Sequence, residues 1–328
     1  MQNLMETESS ESAPDTARED ERQPQQQPML RVCELSMKLM TFNLLAPCYK
    51  RVPTYGGTEM SKWVEADGKF EALRMMRYEK LLDLLRESNA DIIFLQEFWF
   101  QERIQKMFEN YLRKYTFYYH KRPKNKADGL CTLVSSSLRV TDVQNITFHV
   151  GDRVAILLRV EQANPQEGGC SDEGVSVLAG NVHLTFPHDS FYRDRRLNEI
   201  QAVTTFVDQY IARENLHHLP VLLGGDFNDA DDAVCRWMSE NRYVSSFHTV
   251  HQREPGVTHM NHLEQEVSVD YIFFREPLVN SGWCLRPSDA HLLPRELPDV
   301  AWPEGKWNIS DHRPLATDFL ITSSDSPP

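Results

Sequence analysis

The apolar positions along this chain fall into many short runs and a few longer stretches at helical spacing. Lys38–Asn43 reads as a short strand ending in Asn. From Phe70 to Glu87 the apolar residues Leu73, Met76, Leu81, Leu84 and Leu85 recur at helical spacing, which predicts an amphipathic helix. Asp91–Gln96 (DIIFLQ) has the look of a buried strand. Leu130–Ser135, Thr147–His149, Val154–Val160 and Val175–His183 predict further strands, and Asp194–Arg213 a second amphipathic helix. Pro220–Gly224, Val269–Phe274 and Leu315–Ile321 close the pattern with strands. Strands outnumber helices, which suits stacked sheets with helices outside.

The ends and one interior stretch break this pattern. Residues 1–35 are rich in Ser, Glu, Gln and Pro and almost lack apolar residues before Met29, so a disordered tail is expected there. One domain is expected over residues 36–321, followed by a flexible polar end, Thr322–Pro328. Glu161–Gly174 (EQANPQEGGCSDEG) reads as a flexible loop between strands.

Composition adds boundaries rather than a function. With 328 residues, 41% hydrophobic and 25% charged, a sizeable core needs no disulfide or structural metal. The cysteines Cys33, Cys48, Cys131, Cys170, Cys235 and Cys284 show no CxxC pair and read as reduced thiols. No stretch approaches the ~20 apolar residues of a membrane span, and the acidic N-terminus is neither a secretory signal nor a basic transit peptide. The expectation is an intracellular protein, cytoplasmic or nuclear, without a membrane anchor. A formal charge of −13 argues against a broad basic grip on duplex DNA, so a polyanionic substrate must meet a local basic patch.

The candidate chemistry lies at the ends of the apolar runs. Asn43 follows LMTF, Glu97 follows IIFLQ, His183 follows VLAGNV, Asp226 follows VLLGG, and Asp311 and His312 follow NIS. Strand ends are rigid points from which distant segments can converge. Carboxylate and carbonyl oxygens suit Mg²⁺, which keeps several waters and binds phosphate. Histidines and amides can contact phosphate oxygens as charge develops. No GxSxG elbow, Walker-type glycine loop or HExxH zinc motif competes.

The segments FNLLAPCY, DIIFLQE, GNVHL, GGDFND, VDYIFF and SDHRPL stand in the order found in the endonuclease/exonuclease/phosphatase superfamily, which this chain resembles from residue 41 to 316. The resemblance implies a four-layered α/β sandwich of two packed mixed β-sheets with helices on the outside. It also implies a Mg²⁺-dependent phosphoesterase, with Mn²⁺ as an alternative ion. Asn43, Glu97 and Asp311 would hold or position the metal, and Asp226 would be the general base toward water. Asn228 would hold that water or a phosphate oxygen. His183 would contact the phosphate as general acid or as a transition-state donor. His312 would do likewise from the other side, oriented by Asp270, since a carboxylate fixes an imidazole tautomer and raises its basicity.

Within that superfamily, VDYIFF stands where inositol-polyphosphate phosphatases carry a Trp–Cys–Asp–Arg signature, and GNVHL differs from the abasic-site endonucleases. NLLAPCY and VDYIFF look more like the carbon-catabolite-repressor-type deadenylase branch. Lys121, Arg122, Lys124 and Lys126 form a basic cluster that is either a solvated turn or a steering loop for a polyanion. Arg193, Arg195 and Arg196 follow His183, and Arg193 and Arg196 are candidates to fork onto a substrate phosphate. Trp307 is the best placed of the aromatics to stack on a base. The His-rich stretch His248, His251, His259 and His262 reads as a loop or as a substrate contact, and lacks metal spacing. The expected substrate is RNA, a single strand or a small nucleotide. A sphingomyelinase-like lipid phosphodiesterase and an inactive interaction module are the alternatives.

Overall fold

A computed structural model describes residues 34–52, 63–148, 151–162, 175–187, 191–229, 232–279, 283–296 and 309–323. The first sheet contains β1 (Glu34–Asn43), β2 (Ile92–Trp99), β3 (Tyr115–Lys121), β4 (Asp128–Ser135), β13 (Trp283–Leu292) and β14 (Leu315–Ser323). Its order is β13-β14-β1-β2-β4-β3. The second sheet contains β5 (Leu138–Thr147), β6 (Val154–Gln162), β7 (Val175–His183), β8 (Val221–Asp226), β9 (Val244–Ser245) and β12 (Asp270–Arg275). Its order is β5-β6-β7-β8-β12-β9. A small hairpin pairs β10 (His259–Met260) with β11 (Glu266–Val267).

Each sheet has a parallel pair at its centre, β1 with β2 and β7 with β8. Parallel neighbours need a crossover, and helices α1 (Glu71–Ser88) and α3 (Phe191–Glu214) supply them. Both crossovers start from a strand that ends in a polar residue, Asn43 or His183. That topology is what brings the polar strand ends to one place.

Three apolar clusters define the layers. Leu39, Ile92, Phe94, Ile156, Leu158, Val177, Leu222, Ile272 and Phe319 meet between the sheets. Met40, Phe42, Ile93 and Leu95 pack outward against Leu81, Leu82 and Leu85 of α1 and against Ile104 and Phe108 of α2 (Glu102–Tyr111). Leu157, Leu178, Leu223 and Phe273 pack outward under Ile200, Val203 and Val207 of α3 and Val234 of α4 (Ala233–Glu240). The expected two-sheet sandwich with outer helices is present. Central strands are covered on both faces, so they read as continuous apolar runs instead of alternating ones.

The differences from sequence expectation lie at the periphery. Of the strand expected over Thr147–His149, only Thr147 belongs to β5, which begins at Leu138; Phe148 follows the strand and His149 lies outside the described residues. β5 is an edge strand whose exposure alternates residue by residue, and its polar positions (LRVTDVQNIT) hide it from a search for apolar runs. Helix α2, strands β3 and β13, and the short helices α4 and α5 (Ser246–His251) escape the sequence pattern for the same reason. Strand β1 starts at Glu34 and β14 runs to Ser323, on either side of the 36–321 bounds. Of the expected tail and loop, residues 1–33 and 163–174 lie outside the described residues. Cys48, Cys131, Cys235 and Cys284 are free thiols, and among the described residues no helix is long and apolar enough to cross a membrane.

Beneath the site the two sheets are joined by a buried polar cluster. Gln96 Nε2 donates to Asn181 Oδ1 at 2.8 Å and to Thr41 Oγ1 at 3.1 Å. Asn181 Nδ2 in turn lies within 3.3 Å of Leu95 O, Cys131 O and Thr132 Oγ1. Close approach also depends on Gly224, where an added Cβ would sit 2.6 Å from Phe94 Cδ2 of the facing sheet. Gly224→Ala therefore forces the sheets apart or Phe94 out of its rotamer. The expected cost is about 1–3 kcal/mol, read as a lowered urea midpoint at unchanged slope. An unchanged midpoint would show that Gly224 and Phe94 are not in contact.

Candidate active site

The polar strand ends meet at a cavity of about 320 Å³ lined by Asn43, Glu97, His183, Asp226, Asn228, Asp311 and His312 together with residues of other segments. Strand register accounts for part of the set. His183 of β7 is the cross-strand partner of Asp226 on β8, and Asp226 is the partner of Asp270 on β12. In-register neighbours share a sheet face, so these three side chains form one row. His183 Nε2 lies 3.4 Å from Asp226 Oδ2.

Asp226 is the hub of the row. Its Oδ2 accepts from Asn43 Nδ2 at 2.9 Å, a bond that crosses from one sheet to the other. Its Oδ1 accepts from the backbone N–H of Asn228 at 2.9 Å, and Asn228 holds a left-handed φ of 50° while donating to Leu184 O. Gly225 just before it cannot carry a side chain, because a Cβ would fall 1.9 Å from Val182 O. Burial raises the Asp226 carboxyl above the ordinary carboxylate range, with the positive charge of His312 opposing that rise.

Glu97 reaches the cavity through a β-bulge. Leu95 pairs with Cys131 and Phe98 with Gly129, so Gln96 and Glu97 together face Leu130. Phe98 therefore rejoins Ile93 and Leu95 on the outer face, and Glu97, at φ 53°, is turned out of the alternation. Bulges re-aim side chains in this way. Glu97 Oε2 accepts from Ala46 N at 2.9 Å. Burial, and then the charges of Asp128 and Asp311, push its pKa up to about 7.

Asp311 and His312 are fixed by Ser310 and by the β10 hairpin. Ser310 Oγ donates to Asn43 O at 2.7 Å and accepts from His312 N, tying this segment to the end of β1. Arg77 of α1 braces the same junction by donating to Leu44 O, Leu45 O and Ile309 O while paired with buried Glu65. His312 Nδ1 lies 2.9 Å from Asp270 Oδ2, and its Nε2 is 3.8 Å from Asp226 Oδ2. Burial works against a charge on His312, yet Asp270 and Asp226 raise its pKa to about 10. Burial likewise opposes the charge of Asp311, but the neighbouring His259 and His312 hold its carboxyl at about 2.

His183 has the opposite character. Burial first, then the charges of Arg153 and Arg122, push its pKa well below the usual value, so the ring is neutral. Arg153 Nη1 lies 3.0 and 3.1 Å from the two ring nitrogens.

Several expectations from sequence change here. Asn43 lines the cavity, uses Nδ2 on Asp226 and accepts from Leu45 N through Oδ1, so it orients the Asp226 carboxylate. Arg193 and Arg196 do not line the cavity. Arg196 is 2% exposed, on the core-facing side of α3 with Ile200 and Val203, and its Nη1 reaches toward Thr185 O. Trp307 lies outside the described residues.

Other residues enter that sequence reasoning passed over. His259 stacks on His312 at 4.0 Å with the rings 8° from parallel, and its Nε2 lies 3.6 Å from Asp311 Oδ2. Ligand atoms of His259, Asp311 and His312 lie within 4.8 Å of one another, close enough to hold a metal ion. Arg153 opens β6 and lines the cavity beside His183. Of the basic cluster, Arg122 and Lys126 line the cavity as well. A hard-ion site fits the carboxylates of Glu97 and Asp311, which share the cavity wall and repel one another.

A model of the endonuclease/exonuclease/phosphatase family matches residues 40–312. An uncharacterized calcium-binding protein of Arabidopsis thaliana is 30% identical over 288 residues, 84% of this chain. The chain spans about half, 55%, of that relative's length. Among solved structures, D. rerio TDP2 complexed with single strand DNA product is similar with a TM-score of 0.59 at 15% identity, over 87% of this chain and 98% of that one. The human Nocturnin catalytic domain with bound sulfate anion is similar with a TM-score of 0.58 at 19% identity, over 88% and 96% of the two chains. Identities this low make both likenesses a matter of fold.

The His312 environment gives a pH signature. Its pKa is raised from 6.5 to about 10, so its contribution to stability is complete below pH 6.5 and is lost as the pH rises through about 10. Asp270→Asn removes the nearer carboxylate charge. In that variant the His312 ring resonances should titrate at lower pH than in the parent, and the fall of stability between pH 6.5 and 10 should flatten. Identical titration in parent and variant would refute the pairing.

Proposed function

Since this chain belongs to the endonuclease/exonuclease/phosphatase family, we propose that it is a metal-dependent phosphodiesterase in which Asp226 is the general base. One observation carries the proposal. A buried carboxylate with a raised pKa is held by Asn43 and the Asn228 backbone, between a neutral His183 and a charged His312, on a cavity that Glu97 and Asp311 also line. Members of the family are metal-dependent phosphoric-ester hydrolases.

Each residue then has a distinct task. Asp226 accepts a proton from the attacking water; its raised pKa brings it nearer to working pH. Asn43 and the Asn228 backbone fix the carboxylate plane, so the water is aimed as well as activated. His312, kept charged by Asp270 and Asp226, stabilises the negative charge that grows on the phosphate oxygens. A cation with so high a pKa releases a proton poorly, which favours an electrostatic role. His183, neutral beside Arg153, acts as a hydrogen-bond donor to the transition state rather than as a charged acid. Glu97 and Asp311 would hold a divalent ion, Mg²⁺ or Mn²⁺, and that ion would supply charge neutralisation at the phosphate.

For the substrate, a nucleic acid end, a single strand or a small nucleotide fits best. The cavity is compact and the chain carries −13, both unsuited to a duplex lying across a broad surface. Phe186 and His262, 5.5 Å apart at 48°, stand at the cavity and offer flat surfaces to a base. The NLLAPCY and VDYIFF motifs support the carbon-catabolite-repressor-type branch.

Asp226→Asn preserves shape and most hydrogen bonds but removes the base. Turnover should fall by roughly 10²–10⁴ while the melting temperature stays close to the parent value. Product release from poly(A), single-stranded DNA, phosphorylated dinucleotides and sphingomyelin, each with and without Mg²⁺, decides the substrate class. Metal-dependent cleavage of a nucleotide substrate is the expected outcome, and activity confined to sphingomyelin would overturn the nucleotide reading.

A further inference from the structure

We propose that the same cavity holds a second anion subsite, formed by Arg153 and Lys126 and braced by Arg122, so that its substrate is a phosphoester bearing an additional phosphate. This rests on the phosphoesterase reading of the cavity and narrows it.

The cavity is lined by side chains of both signs in a chain whose overall charge is −13. Glu97, Asp226 and Asp311 are acidic, while Arg122, Lys126 and Arg153 are basic. These three cations are not equivalent. Arg122 is committed: Nη1 holds Asp128 and the Tyr49 hydroxyl, Nη2 holds Asp152 Oδ1 at 2.7 Å, and Nε donates to Asp152 O. It acts as a strut. Lys126 Nζ lies 3.5 Å from Asp152 Oδ2 on a side chain 42% exposed, so it can turn to a ligand.

Arg153 carries the inference. Its side chain is 8% exposed, yet the nearby carboxylates Asp128 and Asp152 pair with Arg122 and Lys126 instead. Its contact at 3.0 Å is His183, which is neutral and cannot offset a charge. A buried guanidinium beside other cations and without its own carboxylate is costly unless an anion arrives. Burial and Arg122 both work against its charged form, while Asp128, Glu199 and Glu97 favour it without forming an ion pair with it.

A single phosphodiester supplies one negative charge, and His312 already answers it from the Asp226 side. Arg153 and Lys126 line the same cavity as further cations, which is more positive charge than one phosphate needs. A second phosphate on the Arg153 side would satisfy both, with fork-like contacts from the guanidinium.

Binding of three probes to the full chain by calorimetry, without metal and without turnover, tests this directly. AMP, ADP and adenosine 3′,5′-bisphosphate share one base and differ in the second phosphate. At least one of the two-phosphate probes should bind about 10-fold tighter than AMP, and Lys126→Gln should remove most of that margin. Arg153→Met should remove it entirely and Arg153→Lys restore part. Lys126 is exposed, so its variant stays informative even if the Arg153 variants fail to fold. Equal affinity for all three probes, or a preference untouched by Lys126→Gln, would overturn the subsite. Because the readout is affinity, a chain that turns over no phosphodiester would refute the catalytic reading without deciding this one.

Discussion

The bond from Asn43 Nδ2 to Asp226 Oδ2, 2.9 Å long, is the constraint on which the site depends. Its donor ends β1 of one sheet and its acceptor ends β8 of the other, 183 residues apart in sequence. It forms only if the sheets pack to within a few tenths of an ångström, and the packing below is arranged for that. Gly224 gives way to Phe94, and Gln96 bonds Asn181 across the interface. A buried polar group left without its partner costs about 1–3 kcal/mol, so this cluster penalises any other register. Specificity of approach, more than added stability, is what such a network contributes.

Charge is then distributed over that frame by burial. The same dry surroundings raise Asp226 and Glu97, lower His183, and let paired carboxylates hold His312 positive. Backbone strain takes part. Leu45, Glu97 and Asn228 all adopt left-handed φ values, 54°, 53° and 50°, next to the reacting groups. Such conformations cost of order 1–3 kcal/mol each and persist because Arg77, the β2 bulge and the Asp226 carboxylate over-determine them. Preorganisation of this kind lets the groups meet a transition state without rearranging.

How much of this could be read from sequence follows from what the signal was. Buried central strands are continuous apolar runs, so β2, β7, β8, β12 and β14 were legible, and with them the polar residues at their ends. Strand β5 was not, because an edge strand with one solvated face resembles a polar loop. Arg196 illustrates the opposite error: its place beside His183 in sequence suggested substrate contact, whereas helical geometry turns it inward with Ile200. Arg153 had no signal, and His259 showed only as part of a His-rich stretch. Arg153 precedes its strand rather than ending it, and His259 gains meaning only through the hairpin that stacks it on His312. The bulge at Glu97 was equally invisible, although the Glu itself was not.

Direct observation of a bound ion at the shared carboxylates is the sharpest test of a metal-dependent site. Electron paramagnetic resonance of Mn²⁺ titrated into the full chain measures that without reference to any substrate. Binding by the parent chain, weakened about 10-fold or more in both Glu97→Gln and Asp311→Asn, is the predicted result. Equal Mn²⁺ affinity in the parent and both variants would mean that these two carboxylates do not face a common cation, and the catalytic assignment built on them would be wrong.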